Sequence, residues 1–461
     1  MTPLFDPLFF SAVALDVLAC ARFSPEAIEV RQRFRLAKLV GAAARGSLLY
    51  SERLPKSPEL LPLRALPIID KRELMDRFDD WVVDSRLNLA DLRTFVAQPQ
   101  RIAEPYLNTY LVWESSGTGH QPGLFVQDAR ALAVYDALEA LRRSVPRVVQ
   151  RWMDPLLVTE RIAFVGAIGG HFASVVSMQR LCRASPWLAH SFRFFSILEP
   201  MDVLMAQLNE FAPTVLATYP TMAVLIADAA ARGALRCRPK EVWCGGETLS
   251  CSARHRVESA LDCTLLNSYG ASEFLSIGWE CRHGQMHANT DWLILEPIDE
   301  RGRPTPPGEA SHSTLLTNLA NHVQPLIRYD LGDQIMIHPD PCACGVTLPV
   351  ITVKGRRDDP LIMDGRGAQV VTLLPLALTT VLEDEAGVFD FQLCQRDART
   401  LVLRLSLFGA QGEDAADRCR KALLSFAEVQ GLAPISILIE LGQDLPRGNS
   451  GKAQRIVAMR P

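Results

Sequence analysis

Lysine is scarce in this chain of 461 residues: 7 of its 48 basic residues are Lys and the rest Arg. No run of Lys or Arg gathers them and the net charge is −4, so neither a global nor a local field points to nucleic acid. Uninterrupted apolar stretches of about 18 residues are also lacking, which argues against a membrane span. The opening MTPLFDPLFFSAVALDVLAC has no positive n-region and is broken by Asp6 and Asp16; it reads as a packed helix rather than a signal peptide. Eleven cysteines, an odd number scattered along the chain, do not make a disulfide scaffold and fit a reduced, cytoplasmic compartment.

With 48% hydrophobic and 22% charged residues, the chain has the composition of a globular protein, and its length predicts two to four domains. Residues 1–100 read as mostly helical, with helical spacing of apolar positions in Pro25–Leu49. A short apolar strand, LVW, then enters the loop ESSGTGHQPG, and an amphipathic helix follows Asp128, interrupted near Pro146. Strand-like and helix-like segments alternate from Arg161 to Gly270, which predicts a mostly parallel sheet with helices on both faces. Residues 291–353 are β-like. Beyond GRRDD at 355–359 lies a compact pattern in which the alternation of Leu401–Leu407 predicts a half-exposed antiparallel strand.

Several short motifs carry chemistry. A strand running into Ser115, Ser116, Gly117 and Thr118 can present hydroxyls and backbone N–H groups to phosphate, although no Gly-Lys-Ser/Thr closes a Walker A loop. In NSYGASE an aromatic beside glycine can lie on a purine, and Glu273 can hold Mg²⁺. Asp333 of RYDLGD can accept from ribose hydroxyls, and Arg356 can fork onto ribose or phosphate. Lys452 sits in a glycine turn near the end of the sequence. Taken singly, each motif reads equally well as an ordinary turn or a solvated charge.

Together and in this order, Ser-Ser-Gly-Thr, Gly-Gly-Glu (245–247), Tyr-Gly-x-Ser-Glu, Arg-Tyr-x-x-Gly-Asp, Gly-Arg-x-Asp-Asp and Ser-Gly-Lys resemble the adenylate-forming superfamily of acyl-CoA synthetases and adenylation domains. The likeness is greatest to its phenylacetate-CoA ligase branch, over roughly residues 25–460. The resemblance implies an α/β fold: a large N-terminal domain (1–357) with mostly parallel sheets flanked by helices plus a β-rich subdomain, and a small mobile α+β domain (358–461). It implies that Ser115, Ser116, Gly117 and Thr118 cradle the β- and γ-phosphates of ATP. Gly245, Gly246 and Glu247 would line the adenine pocket, with Tyr269 and Gly270 beside the base. Ser272 would contact the α-phosphate, Glu273 would bind Mg²⁺, and Asp333 and Arg356 would meet the ribose. Lys452 would bridge carboxylate and α-phosphate, and Asp358 would be the hinge. The loop departs from the family, where Thr-Gly-x-Pro is followed by Lys or Thr; here the register gives Gly119, His120, Gln121, Pro122, Gly123.

Cys281, His287, Cys342 and Cys344 have the composition of a closed structural zinc site. On spacing alone scattered core cysteines explain them equally well, and His283 competes with His287. The resemblance favours zinc, because members of the branch carry a similar Glu-Cys…His and Cys-x-Cys-Gly arrangement with that metal.

The resemblance places the acyl pocket among Gly169, Gly170, His171, Phe172, Tyr219, Pro220, Gly245 and Ala271, with His171 or Tyr219 able to bond a ring hydroxyl. The implied activity is ATP-dependent adenylation of an aromatic carboxylic acid of benzoate, hydroxybenzoate or phenylacetate type, followed by transfer to the phosphopantetheine thiol of CoA or an acyl carrier protein. An adenylyltransferase like the coenzyme F390 synthetases and a degenerate nucleotide-binding scaffold are the alternatives. Homodimerisation is left open.

Overall fold

The computed structural model describes residues 4–115, 122–154, 157–354, 360–388, 391–443, 445 and 455–458. Helices begin where local chemistry places them. Asp6 accepts from Leu8 and Phe9 N–H ahead of Pro7–Cys20, and Ser24 accepts from Ala27 N–H ahead of Pro25–Gly46. Both helices start with Pro, whose missing N–H costs nothing at that position. Asp128 caps Ala129–Arg142 through Ala131 N–H at 2.8 Å. The chain then breaks before Pro146 and resumes as Val148–Met153.

A hairpin of β1 (Leu111–Glu114) and β2 (Leu124–Gln127) brackets the Ser/Gly-rich loop. The main sheet begins with β3 (Ile162–Gly166), β4 (Phe192–Ser196), β5 (Val215–Thr218), β6 (Glu241–Cys244) and β7 (Thr264–Ala271). It continues through β8 (Phe274–Glu280) and β9 (Met286–Ala288). A separate three-stranded sheet holds β10 (Leu293–Ile298), β11 (Ser313–Asn318) and β12 (Tyr329–Asp330), after which β13 (Gln334–Ile337) and β14 (Val350–Lys354) rejoin the main one.

Among the described residues the main sheet has nine strands in the order β13-β14-β9-β8-β7-β6-β5-β3-β4. From β4 to β7 all pairing is parallel; from β7 to β13 it is antiparallel. The expected parallel sheet is therefore one half of a larger mixed sheet, and the β-like stretch 291–353 contributes to two sheets. The parallel strands β3 and β5 are buried along their whole length, as strands covered by crossover helices must be. The crossovers use Ala173–Ala184, Met201–Phe211, Pro220–Ala231 and Cys251–Leu261. After β4 the chain crosses back over β3 to β5, so the winding reverses between β3 and β5. Such a reversal opens a crevice at the carboxyl ends of the strands.

Residues 361–458 add a hairpin of β15 (Leu361–Asp364) and β16 (Val370–Leu373) and a four-stranded sheet, β19-β18-β17-β20. Its strands are β17 (Phe391–Asp397), β18 (Thr400–Leu405), β19 (Ser436–Leu441) and β20 (Ile456–Val457), packed with the helix Gly409–Val429. β18 is antiparallel to β17 but parallel to β19. Being internal, it buries Val402 as well as Leu401, Leu403 and Leu405; the half-exposed alternation falls on β19 instead.

Candidate active site

The crevice is an open cavity of ≈ 2520 Å³ lined by the ends of β5, β6 and β7, the β7–β8 turn and the segment 329–333. Here β7 carries Tyr269, whose hydroxyl donates to Asp333 Oδ2 at 2.8 Å. Burial and the adjacent carboxylate push that phenol well above its ordinary pKa, so it stays a donor. Gly270 is required by packing: a Cβ there would sit 2.1 Å from the Leu275 carbonyl oxygen across the turn. Glu273 accepts at 2.7 Å from the hydroxyl of Tyr329, and its backbone carbonyl accepts from Asn318 Nδ2 at 2.9 Å. The Ser272 carbonyl accepts from Trp113 Nε1 at 2.8 Å, and Ser272 Oγ donates to the Glu114 carbonyl at 3.4 Å. The turn is thus fixed to β1 and β12 from both sides.

RYDLGD divides its labour. Arg328 donates to Glu296 and to the Leu66 carbonyl, Tyr329 meets Glu273, and Asp330 accepts from Ser313 and from Gly332 N–H. Asp333 alone faces Tyr269. Gly245, Gly246 and Glu247 line the same cavity. The Glu247 carboxylate also accepts from Thr221 Oγ1 at 2.7 Å and Thr221 N–H at 3.0 Å, in the first turn of Pro220–Ala231.

Ser115 closes the stem of the Ser/Gly-rich loop. Its N–H donates to the Gly123 carbonyl at 2.9 Å, and its Oγ accepts from Gly123 N–H at 3.0 Å and Lys71 Nζ at 2.9 Å. Ser116, Gly117, Thr118, Arg356, Asp358, expected as the hinge, and Lys452 lie outside the described residues. Beside the stem, the Glu114 carboxylate accepts from His171 N–H at 3.2 Å. Burial first, and then the Asp384 carboxylate, push Glu114 up to about 7.

Of the residues expected around the acyl group, Phe172, Tyr219, Gly245 and Ala271 line the cavity. His171 does not: its fully buried ring stands edge-on to Phe95 at 5.4 Å, with Nε2 3.2 Å from the Gln98 carbonyl. Burial lowers its pKa. Hydrogen bonding of a ring hydroxyl by His171 is accordingly corrected to a structural role. Gly169, Gly170 and Pro220 also lie outside the lining. Burial of the Tyr219 phenol, with the Glu247 carboxylate nearby, pushes its pKa up to about 12.

A second cluster joins three separate segments. The ligand atoms of Cys281, His287, Cys342 and Cys344 lie within 4.8 Å of one another, with Cys281 Sγ 3.8 Å from Cys342 Sγ and Cys344 Sγ 3.3 Å from His287 Nε2. His287 Nδ1 is 2.8 Å from the Leu348 carbonyl, which fixes the tautomer with Nε2 free to ligate. His283 meets Cys281 only through its backbone N–H.

Lys71, Glu114, Trp113 and Tyr329 are the site residues that motif reading missed. They act through contacts made from distant segments, which no contiguous motif encodes.

No protein-family model matches the chain. Among solved structures, 2-hydroxyisobutyryl-CoA ligase in complex with 2-HIB-AMP and CoA, in the thioesterification state, is similar with a TM-score of 0.58 and 17% identity, covering 95% of this chain and 91% of that one. The same ligase in the postadenylation state with R3-HIB-AMP gives 0.55 at 17% identity and the same coverage, 95% and 91%. Protein CapK of Staphylococcus aureus is 25% identical over 218 residues, 45% of this chain. The match spans 45% of that curated relative's length. The chain has the fold of an adenylate-forming acyl-CoA ligase.

Proposed function

We propose that this chain is an AMP-forming acid–thiol ligase that adenylates an aromatic carboxylic acid and passes the acyl group to the phosphopantetheine thiol of CoA or an acyl carrier protein. The observation that carries the reading is the convergence of Tyr269, Glu273 and Asp333 with Gly245–Glu247 on one cavity at the carboxyl edge of the sheet. The Tyr269 ring offers a face to adenine, and the Asp333 carboxylate offers two acceptor oxygens to ribose hydroxyls. Glu273, oriented by Tyr329, is a hard oxygen ligand suited to Mg²⁺, which would supply charge neutralisation at the phosphates. Ser115 and its loop hold the triphosphate. Lys452 is proposed to neutralise charge between the carboxylate and the α-phosphate, where in-line displacement needs positioning more than covalent help.

Phe164, Phe172 and Tyr219 line the cavity, and flat aromatic faces support a planar acid. A small domain (358–461) turning about Asp358 would withdraw Lys452 and admit the thiol. The Cys3His cluster fits zinc by donor set, and with four protein ligands its role is structural.

The reading is tested by incubating the chain with ATP, Mg²⁺, a panel of acids and either CoA or a phosphopantetheinylated carrier protein, with mass spectrometry of the products. AMP and an aryl thioester support it. AMP retained on a hydroxyl product would replace it with adenylyl transfer.

A further inference from the structure

We propose that the acid taken by this cavity is elongated: an aryl acid whose uncharged body extends several carbons beyond the length of benzoate or phenylacetate. This deepens the ligase reading above and rests on it.

Phe164 of β3, Ala217 of β5 and Trp243 of β6 are direct neighbours in the strand register, so their side chains share one face of the sheet. All three line the cavity. The small Ala217 between two aromatic side chains leaves a trough running along β5. The opposite wall is helical. Ala173, Ser177 and Leu181, on successive turns of Ala173–Ala184, face the same cavity, as do Asp136 and Ala140 of Ala129–Arg142. The ion pair of Arg180 with Asp136 ties the two helices together. Strands inside a parallel sheet are normally covered on both faces. Trp243 is nonetheless only half-buried, with the Arg143 guanidinium 4.1 Å from its ring centroid.

The trough is long. Its lining runs from Cys244 and Ala271, at carboxyl ends of strands, to Glu241 and Phe192, the first residues of β6 and β4. Ala173 to Leu181 alone spans roughly 12 Å at ~1.5 Å per residue. The whole cavity, ≈ 2520 Å³, is well above the ~1,000 Å³ that bounds ordinary ligand pockets. A nucleotide and a single ring at the carboxyl edge would leave the amino end of the trough unfilled. The charges at that end are already paired: Arg143 with Glu139, and Arg147 with Glu160 and Glu241. A second carboxylate reaching them would meet no free cation among the described residues, so the body of the acid that lies there is neutral.

The test uses the full chain in ATP–pyrophosphate exchange with unbranched ω-phenylalkanoic acids, from phenylacetic to phenyloctanoic acid. The value of kcat/KM is expected to rise about threefold to fourfold for each methylene buried, until the trough is filled. Dicarboxylic acids of matching length should be roughly tenfold poorer or worse. Ala217→Leu, which fills the trough, should lower kcat/KM for the longest acid relative to phenylacetate by roughly tenfold. A flat or falling series in a wild type that does exchange with phenylacetate overturns the elongated acid and leaves the ligase reading standing; that series needs no variant. Dicarboxylic acids that match the monoacids overturn the neutral body, and an unchanged ratio in folded Ala217→Leu overturns the trough. Exchange with no acid overturns the ligase reading itself.

Discussion

The phenol of Tyr269 donates to the Asp333 carboxylate across 2.8 Å, joining two motifs 64 residues apart at the floor of one cavity. The bond fixes the ring and the carboxylate relative to each other. Removing the donor while keeping the ring separates these roles. Tyr269→Phe should raise the KM for ATP roughly three- to tenfold, on the order of 1 kcal/mol, with kcat within about twofold. Asp333→Ala, which removes the proposed ribose acceptor, should cost about 10–100-fold in KM. Steady-state kinetics over ATP concentration check both.

Tyr329 orients Glu273 by a 2.7 Å hydrogen bond. Tyr329→Phe should leave ATP binding without metal unchanged and raise the Mg²⁺ concentration needed for half-maximal activity about tenfold, the scale of losing one partner that orients a ligating carboxylate. A magnesium titration of the variant's activity gives the answer.

Much of this architecture was legible beforehand, for identifiable reasons. Asp128 announced the helix Ala129–Arg142, because a capping carboxylate followed by apolar residues at helical spacing leaves the chain few alternatives. Tyr269, Glu273 and Asp333 stood out because their motifs are contiguous in sequence. Lys71 and Glu114 did not, since each acts through a contact from another segment: Lys71 reaches Ser115, and Glu114 takes the N–H of His171. His171 was misplaced for the same reason, because Phe95 and Gln98, more than seventy residues earlier, supply the wall that turns its ring away from the cavity. The far edge of the antiparallel half was hidden because β14 pairs back onto β9, a long-range choice that local alternation does not encode.

Glu114 and Asp384 are both pushed up to about 7, chiefly by burial, from ordinary carboxyl values near ~4. A carboxyl whose folded pKa is raised binds its proton more tightly in the folded state, so the stability it contributes is fully present below ~4 and lost as pH rises through about 7. Thermal melting should therefore show wild-type stability falling between roughly pH 4.5 and 7, and Glu114→Gln, neutral at every pH, should flatten that fall. Parallel curves for the two proteins would contradict the assignment.

Zinc at Cys281, His287, Cys342 and Cys344 predicts that protein purified without chelator carries roughly one zinc per chain. Cys342→Ser should lose it and melt at a lower temperature, because the metal's binding energy contributes to folding. Elemental analysis with thermal melting decides the matter; unchanged metal content would remove zinc from the account.

The central claim, that this cavity joins an acid to the α-phosphate of ATP, is met most directly by ATP–pyrophosphate exchange over a panel of aromatic and aliphatic acids, with Lys452→Ala as control. The account predicts exchange that depends on one aryl acid in the wild type and is abolished in Lys452→Ala while ATP binding persists. Absence of exchange with every acid, or exchange unaffected by Lys452→Ala, would contradict it.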